Sequence, residues 1–221
     1  MDTIELMASR HSVRQYTDKK ITEDIRKEIE NCIKGCNEVG GLHMQAFFEE
    51  GACFETILAH YGKFRGVKNY IALVGEKAEQ LEERVGYYGE QVVLKLQELG
   101  LNSCWVLATY GKGKCKADIK EGEKLVCVIA FGYGATQGVP HKSKELSALS
   151  KAGADAPDWY QRGMDAVLLA PTAMNQQKFV FSCEKDRVTA AIAGAGRGSA
   201  VKIDLGIVKY QFEAASGHKV Q

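Results

Sequence analysis

From Glu76 to Leu99 the sequence reads EKAEQLEERVGYYGEQVVLKLQEL, and Leu81, Val85, Tyr88, Val92, Leu96 and Leu99 recur at helical spacing along one broad apolar face. A helix with such a face has to be covered by another element. Gly100 stops it, while Gly86 and Gly89 interrupt the face and suit the close approach of a second backbone or a ligand. The chain then returns to the same theme. Gly89 and Gly100 bracket GEQVVLKLQELG, and Gly206 and Gly217 bracket GIVKYQFEAASG at the same spacing, each a helix with glycine at its end. Upstream, DIRKEIENCI followed by MQAFF is loosely matched by DWYQRGMDAVLL followed by QKFVF, a helix leading into a strand both times. No single offset aligns every piece. The pattern predicts a helix–strand–helix unit used twice, giving an α+β core with pseudo-two-fold-related halves.

The remaining elements are read from shorter signals. Thr22 is placed to cap a helix that carries Ile25, Ile29, Cys32 and Ile33 and ends near Gly35, with acids early and lysines late to suit the helix dipole. NYIALV (69–74) reads as a strand ended by Gly75, and LVCVIAF (125–131) as a buried strand ended by Gly132. Lys142 to Pro157 is the clearest linker, after which a helix runs from Asp158 to Leu169. At roughly 150 residues per domain, a 221-residue chain is one large domain or two small interlocked ones. We read one interlocked domain with halves 1–150 and 151–221.

Composition narrows the function classes. Hydrophobic residues are 45% and charged residues 26%, which excludes a disordered or low-complexity chain. With 29 basic and 28 acidic residues the net charge is +1, so the footprint of a general nucleic-acid or membrane-surface binder is missing. Apolar runs are far shorter than the roughly 20 residues a spanning helix needs. MDTIELMASRH has early charges and no apolar core, so no secretory signal is expected and the cytoplasm is the default compartment. Seven cysteines, an odd number, argue for reduced thiols. Cys32 and Cys36 lack the further ligands that would complete a metal site and read as small helix-face residues.

Four segments offer chemistry. In Arg10-His11-Ser12-Val13-Arg14, alternation along an extended chain puts two guanidinium groups and a hydroxyl on one side, which suits a phosphate and a second anionic group; the same residues also suit a solvated basic turn. Ala170-Pro171-Thr172-Ala173-Met174-Asn175-Gln176-Gln177 is a polar loop between an apolar helix and an apolar strand, suited either to presenting N–H and amide groups to a ligand or to plain connection. Leu99 to Trp105 turns at Gly100 and Asn102, and Trp105 is either core filler or a wall for a planar ligand. His141-Lys142-Ser143-Lys144 completes a phosphate site or is simply solvated. Gly194 to Gly198 is glycine-rich without the strand–turn–helix context of a dinucleotide motif. Cys104 has no identifiable histidine base, which weakens a Cys-His hydrolase.

Taken in order, RHSVRQY, YYGEQVVLKLQELGLNSCWV, IAFGYG with HKSK, APTAMNQQKFVF and DLGIVKYQFEAA resemble the FMN-dependent nitroreductase family, and the likeness covers most of the chain. It departs from the usual member in one respect. There the alanine-proline-serine loop follows the arginine motif closely; here GCNEVGGLHMQAFF has lost that loop and the second half has no Arg-x-Ser-x-Arg. The sequence thus resembles a branch in which one chain imitates the homodimer. The resemblance implies a nitroreductase-like fold, with a central, mostly antiparallel sheet flanked by helices. It also implies one composite FMN site per chain, with a monomer sufficient to form it. Arg10, Lys142 and Lys144 are then expected at the phosphate with Ser12 and His11 beside it, and Arg14 at the pyrimidine edge. Pro171, Thr172, Ala173 and Asn175 are expected to line the isoalloxazine, with Val106 and Leu107 near N5. NADH or NADPH is the implied electron donor and a small molecule such as a nitroaromatic or quinone the acceptor, in ping-pong fashion with no side chain acting as acid or base. A non-catalytic flavin or anionic-ligand sensor on the same scaffold is the alternative, favoured by the decayed second site; a purely structural α+β domain is the third reading.

Overall fold

The computed structural model describes residues 2–153, 155–185 and 187–221. Its elements in chain order are α1 (Thr3–Ser9), α2 (Glu23–Gly40), β1 (Gln45–Phe47), α3 (Ile57–Tyr61), β2 (Asn69–Glu76), α4 (Leu81–Glu98), β3 (Asn102–Val106), β4 (Glu123–Gly132), α5 (Leu146–Leu149), α6 (Asp158–Val167), β5 (Phe179–Glu184), β6 (Arg187–Ile192) and α7 (Ser199–Ser216). They group into two compact units, one of Arg10–Leu81 and Gln91–Val139, the other of Met1–Ser9, Glu82–Glu90 and Pro140–Gln221. The 1–150 half of the sequence thus contributes 1–9, 82–90 and 140–150 to the second unit.

The first, the sheet unit, is built on a four-stranded antiparallel sheet in the order β1-β2-β4-β3. Both central strands are almost wholly buried, as their unbroken apolar runs require. β2 does not stop at Gly75. Its ladder to β4 continues to Glu76 opposite Glu123, and the Lys77 N–H reaches the Gly122 carbonyl, so residues 76–80 are lost to α4, which starts at Leu81. Gly75 serves packing instead, since a Cβ there would press on Leu81 and Leu42. Helix α2 likewise runs past Gly35, whose Cα faces open space. It ends at Gly40 because Gly41 takes the left-handed conformation and donates to the Asn37 carbonyl. An aromatic core sits beside the sheet, with Phe47 stacked on Tyr70 at 4.8 Å and Phe54 edge-on to Phe64 at 5.2 Å.

In the second, the hairpin unit, β5 and β6 form an antiparallel pair, and Phe181 of β5 stacks on Phe212 of α7 at 5.1 Å. Gly163 of α6 lets that Phe212 ring approach, because a Cβ at 163 would collide with it. The expected linker is structured over 146–151: it holds α5, and Ser150 pairs with Phe181 while the Lys151 N–H donates to the Phe181 carbonyl. Helix α6 closes at Val167, slightly before Leu169.

The glycines of the long helices behave reciprocally. A Cβ on Gly86 would run into the carbonyl oxygen of Ile203, and a Cβ on Gly206 into that of Glu83. The same separation in sequence relates Glu83 to Ile203 and Gly86 to Gly206, so two backbones cross by an isologous contact within one chain. Gly206 is therefore the packing counterpart of Gly86, not of Gly89. At the helix ends the expected pairing holds, with Gly100 and Gly217 both left-handed at φ 75° and 72°.

Candidate functional site

In the sheet unit, the RHSVR segment lies alongside strand β3. Ser12 pairs with Ser103 in parallel sense, and the Val13 N–H donates to the Ser103 carbonyl at 2.9 Å. The Arg14 carbonyl accepts from the Arg65 N–H at 2.9 Å, and the Tyr16 hydroxyl lies 2.7 Å from the Val13 carbonyl oxygen. Main-chain bonds thus fix the motif whatever its side chains do. Arg10 leaves the end of α1 and is 3% exposed, whereas Ser12 and Arg14 are open to solvent. Simple alternation would have placed all three alike; the extended pairing begins only after Arg10.

The three side chains nonetheless act on one neighbour, the buried thiol of Cys104 in β3. Burial pushes that thiol up, and the Arg14 cation, a hydrogen bond from Ser12 and the Arg10 cation oppose the rise. Arg14 also lies over the Phe64 ring, 5.9 Å from its centroid. The FGYG segment joins the same place. Asn102 accepts from the Gly134 N–H at 3.0 Å and donates to Gln137 at 3.1 Å, and Gly138 packs on His11 and Ser12. Two of the four segments, RHSVR and Leu99–Trp105, are therefore brought together here, with FGYG beside them. Val106 ends β3 in the core, and Leu107 emerges from it 41% exposed.

In the hairpin unit, the other two segments meet. Gln177, 4% exposed, accepts the Lys144 N–H at 2.8 Å and donates to the Lys142 carbonyl at 3.0 Å and to Asn175 Oδ1 at 2.8 Å. Asn175 Nδ2 donates to that same Lys142 carbonyl at 2.8 Å, and Lys144 Nζ to the Gln177 carbonyl at 2.9 Å. Both ends of the Asn175 amide and the Lys144 ammonium are thus engaged in joining HKSK to APTAMNQQ. Ser143 fastens the first of these to the Leu168 carbonyl at 2.6 Å. Pro171 is buried, Thr172 and Ala173 half-buried, and Lys142 exposed. The Thr172 hydroxyl accepts from the Gln177 N–H at 3.2 Å.

Two side chains that hold this loop are not singled out by sequence. Gln177 is one polar residue among several in APTAMNQQ, and nothing local marks it as the buried one. Asp204 of α7 carries a readable signal, an acid inside the apolar run VKIDLGIV; its oxygens lie 3.0 and 3.1 Å from the Ala173 nitrogen. Burial pushes its carboxyl up to about 6, against the lowering effect of that N–H.

The fold is that of the nitroreductases, an antiparallel sheet flanked by helices. A "putative nitroreductase" from Thermotoga maritima MSB8 matches with TM-score 0.69 and 20% identity over 97% of this chain and 83% of its own. One from Desulfovibrio desulfuricans, in complex with FMN, matches with TM-score 0.55 and 15% identity over 70% of this chain and 96% of its own. A "putative NADH oxidase" from Clostridium acetobutylicum gives TM-score 0.51 and 16% identity over 69% and 99%. No curated protein matches. The family model described as "Putative TM nitroreductase" matches residues 2–216, and the chain belongs to this nitroreductase family of oxidoreductases. Among the described residues no helix is long and apolar enough to cross a membrane.

Proposed function

We propose that the protein is an FMN-dependent NAD(P)H oxidoreductase that reduces a small nitroaromatic, quinone or similar acceptor. The observation that carries this reading is the seating of RHSVR along β3, which gathers two guanidinium groups and a hydroxyl around Cys104. That donor set, cationic and hydroxylic, fits an anionic cofactor bearing a phosphate and an electron-rich ring edge. The Desulfovibrio structure, which contains FMN, supports the choice of flavin.

On this reading Arg10, Lys142 and Lys144 would hold the phosphate, Lys144 with the ammonium hydrogens that its bond to the Gln177 carbonyl leaves over, and Ser12 and His11 would support it. Arg14 would serve the pyrimidine edge, where a fixed cation favours the extra negative charge of the reduced ring. Pro171, Thr172, Ala173 and Asn175 would line the ring, and the backbone at Val106 and Leu107 would serve N5. Bound FMN supplies two-electron exchange with a nicotinamide and then with the acceptor. The side chains bind and orient; none moves a proton.

We further propose one FMN per chain, with a single polypeptide imitating a homodimer and acting in the cytoplasm. The reciprocal crossing at Gly86 and Gly206 supports the pseudo-dimer. So does chain length, since nitroreductase neighbours are covered over 95–96% of themselves by about two thirds of this chain. The decisive experiment is an absorbance spectrum of purified protein with cofactor identification per mole of chain, followed by NADPH or NADH under argon. Flavin bands, about one FMN per chain and bleaching within seconds are expected. A yellow protein that neither nicotinamide bleaches is a flavin-binding protein without turnover, and a colourless one that refuses added FMN overturns the assignment.

A further inference from the structure

The 171–177 loop holds a backbone that its sequence does not favour. Met174, Asn175 and Gln177 have φ of 52°, 54° and 47°, a left-handed region that costs residues with a Cβ about 1 kcal/mol or more each. Such a run persists only where its surroundings over-determine it. Gln177 secures one end through Lys142 and Lys144. The other end is secured by Asp204, 4% exposed among Val201, Ile203, Leu205 and Val208 of α7. Among the described residues no lysine or arginine offsets this carboxylate; its partner is the Ala173 N–H. An uncompensated charge in an apolar helix face is unfavourable for stability, so its presence here points to a role beyond packing. A carboxylate presents only acceptors and meets the N–H with either oxygen, whereas an apolar residue here would leave that N–H without its acceptor.

We propose that Asp204 is a positioning residue of the ligand site: through the Ala173 N–H it fixes the Thr172–Asn175 backbone in the shape that receives the flavin. This rests on the FMN reading given above. Asp204 touches no reacting atom; it acts through the loop.

The test uses the full-length chain as wild type, Asp204→Asn, Asp204→Ala and Ala173→Pro, with amide hydrogen exchange at residue 173, where an N–H remains, and the FMN dissociation constant as readouts. Asp204→Asn keeps an acceptor, and both readouts should stay within about threefold of wild type. Asp204→Ala should lose about tenfold or more in protection and in FMN affinity, the range for a hydrogen bond to a charged group. Ala173→Pro removes the donor while leaving Asp204 intact, suits the extended Thr172 before it, and should weaken FMN similarly. It decides the matter if Asp204→Ala fails to fold. A folded Asp204→Ala or Ala173→Pro variant with wild-type FMN affinity overturns the proposal, as does an Asp204→Asn variant as weak as Asp204→Ala. If wild type takes no FMN, the flavin reading fails and this role fails with it, while exchange at Ala173 in the apo variants still shows whether Asp204 holds the loop.

Discussion

The two units hold their functional segments by different means. In the sheet unit RHSVR is fixed by main-chain bonds to Ser103 and Arg65, leaving Ser12 and Arg14 exposed. In the hairpin unit the APTAMNQQ loop is fixed by the side chains of Gln177, Asn175 and Asp204, around a backbone with three left-handed residues. A strand edge accepts nearly any sequence with the right extended habit, whereas a side-chain clamp accepts only the residues that make it. Substitution should therefore be tolerated in the first place and punished in the second.

The largest effect is expected where neither kind of support gives way, at the helix crossing. Gly206→Val drives a side chain into the Glu83 carbonyl and should destabilise by about 4 kcal/mol or more in denaturant titration, with Gly86→Val comparable. Unequal losses at the two glycines would show that the crossing is symmetric in geometry but not in energy. Next comes the direct contrast between the units. Gln177→Ala, which strips three side-chain hydrogen bonds from a buried site, should lose about 3 kcal/mol. Ser12→Ala, exposed and held by its backbone, should change stability by less than about 0.5 kcal/mol. A large Ser12 loss would break the comparison.

Asp204 sharpens it through pH. Its carboxyl in the folded state sits near 6 against an ordinary 3.8, so the native state takes up the proton more readily than the unfolded chain. This contribution favours folding fully below about pH 3.8 and is lost as pH rises through 6. Removing the charge with Asp204→Asn should raise stability at pH 8, by up to about 3 kcal/mol from the size of the displacement, and change little at pH 3.5. Melting temperatures across that range check the sign. The smallest effect lies on α2, where Gly35→Ala should add about 0.5 to 1 kcal/mol, since the position is helical and open.

What the sequence could show follows the same division. Helical spacing marks α4, unbroken apolar runs mark the central strands, and the glycine bracket marks α7 only from Gly206, although the helix begins at Ser199. Boundaries slipped where a longer-range bond won: Glu76 went to the β4 ladder, and α2 ran on to the Gly40-Gly41 pair because Gly35 has no neighbour to end it. The arginine motif was legible as a strand-like alternation, though the burial of Arg10 was not, since that follows from where α1 ends. The loop residues were legible as a motif, but their hierarchy was not. Which amide of APTAMNQQ is buried depends on Lys142 and Lys144, and whether Ala173 has an acceptor depends on a helix that comes later in the chain.

The crossing of Gly86 on Ile203 and Gly206 on Glu83 has the symmetry of a subunit interface but joins parts of one polypeptide. Its formation is therefore governed by the effective concentration that a shared backbone imposes, and diluting the protein does not pull it apart. Each glycine is also encoded on its own, so a mutation strikes one side only. A contact freed in this way from self-complementarity lets one face specialise while the other keeps the fit.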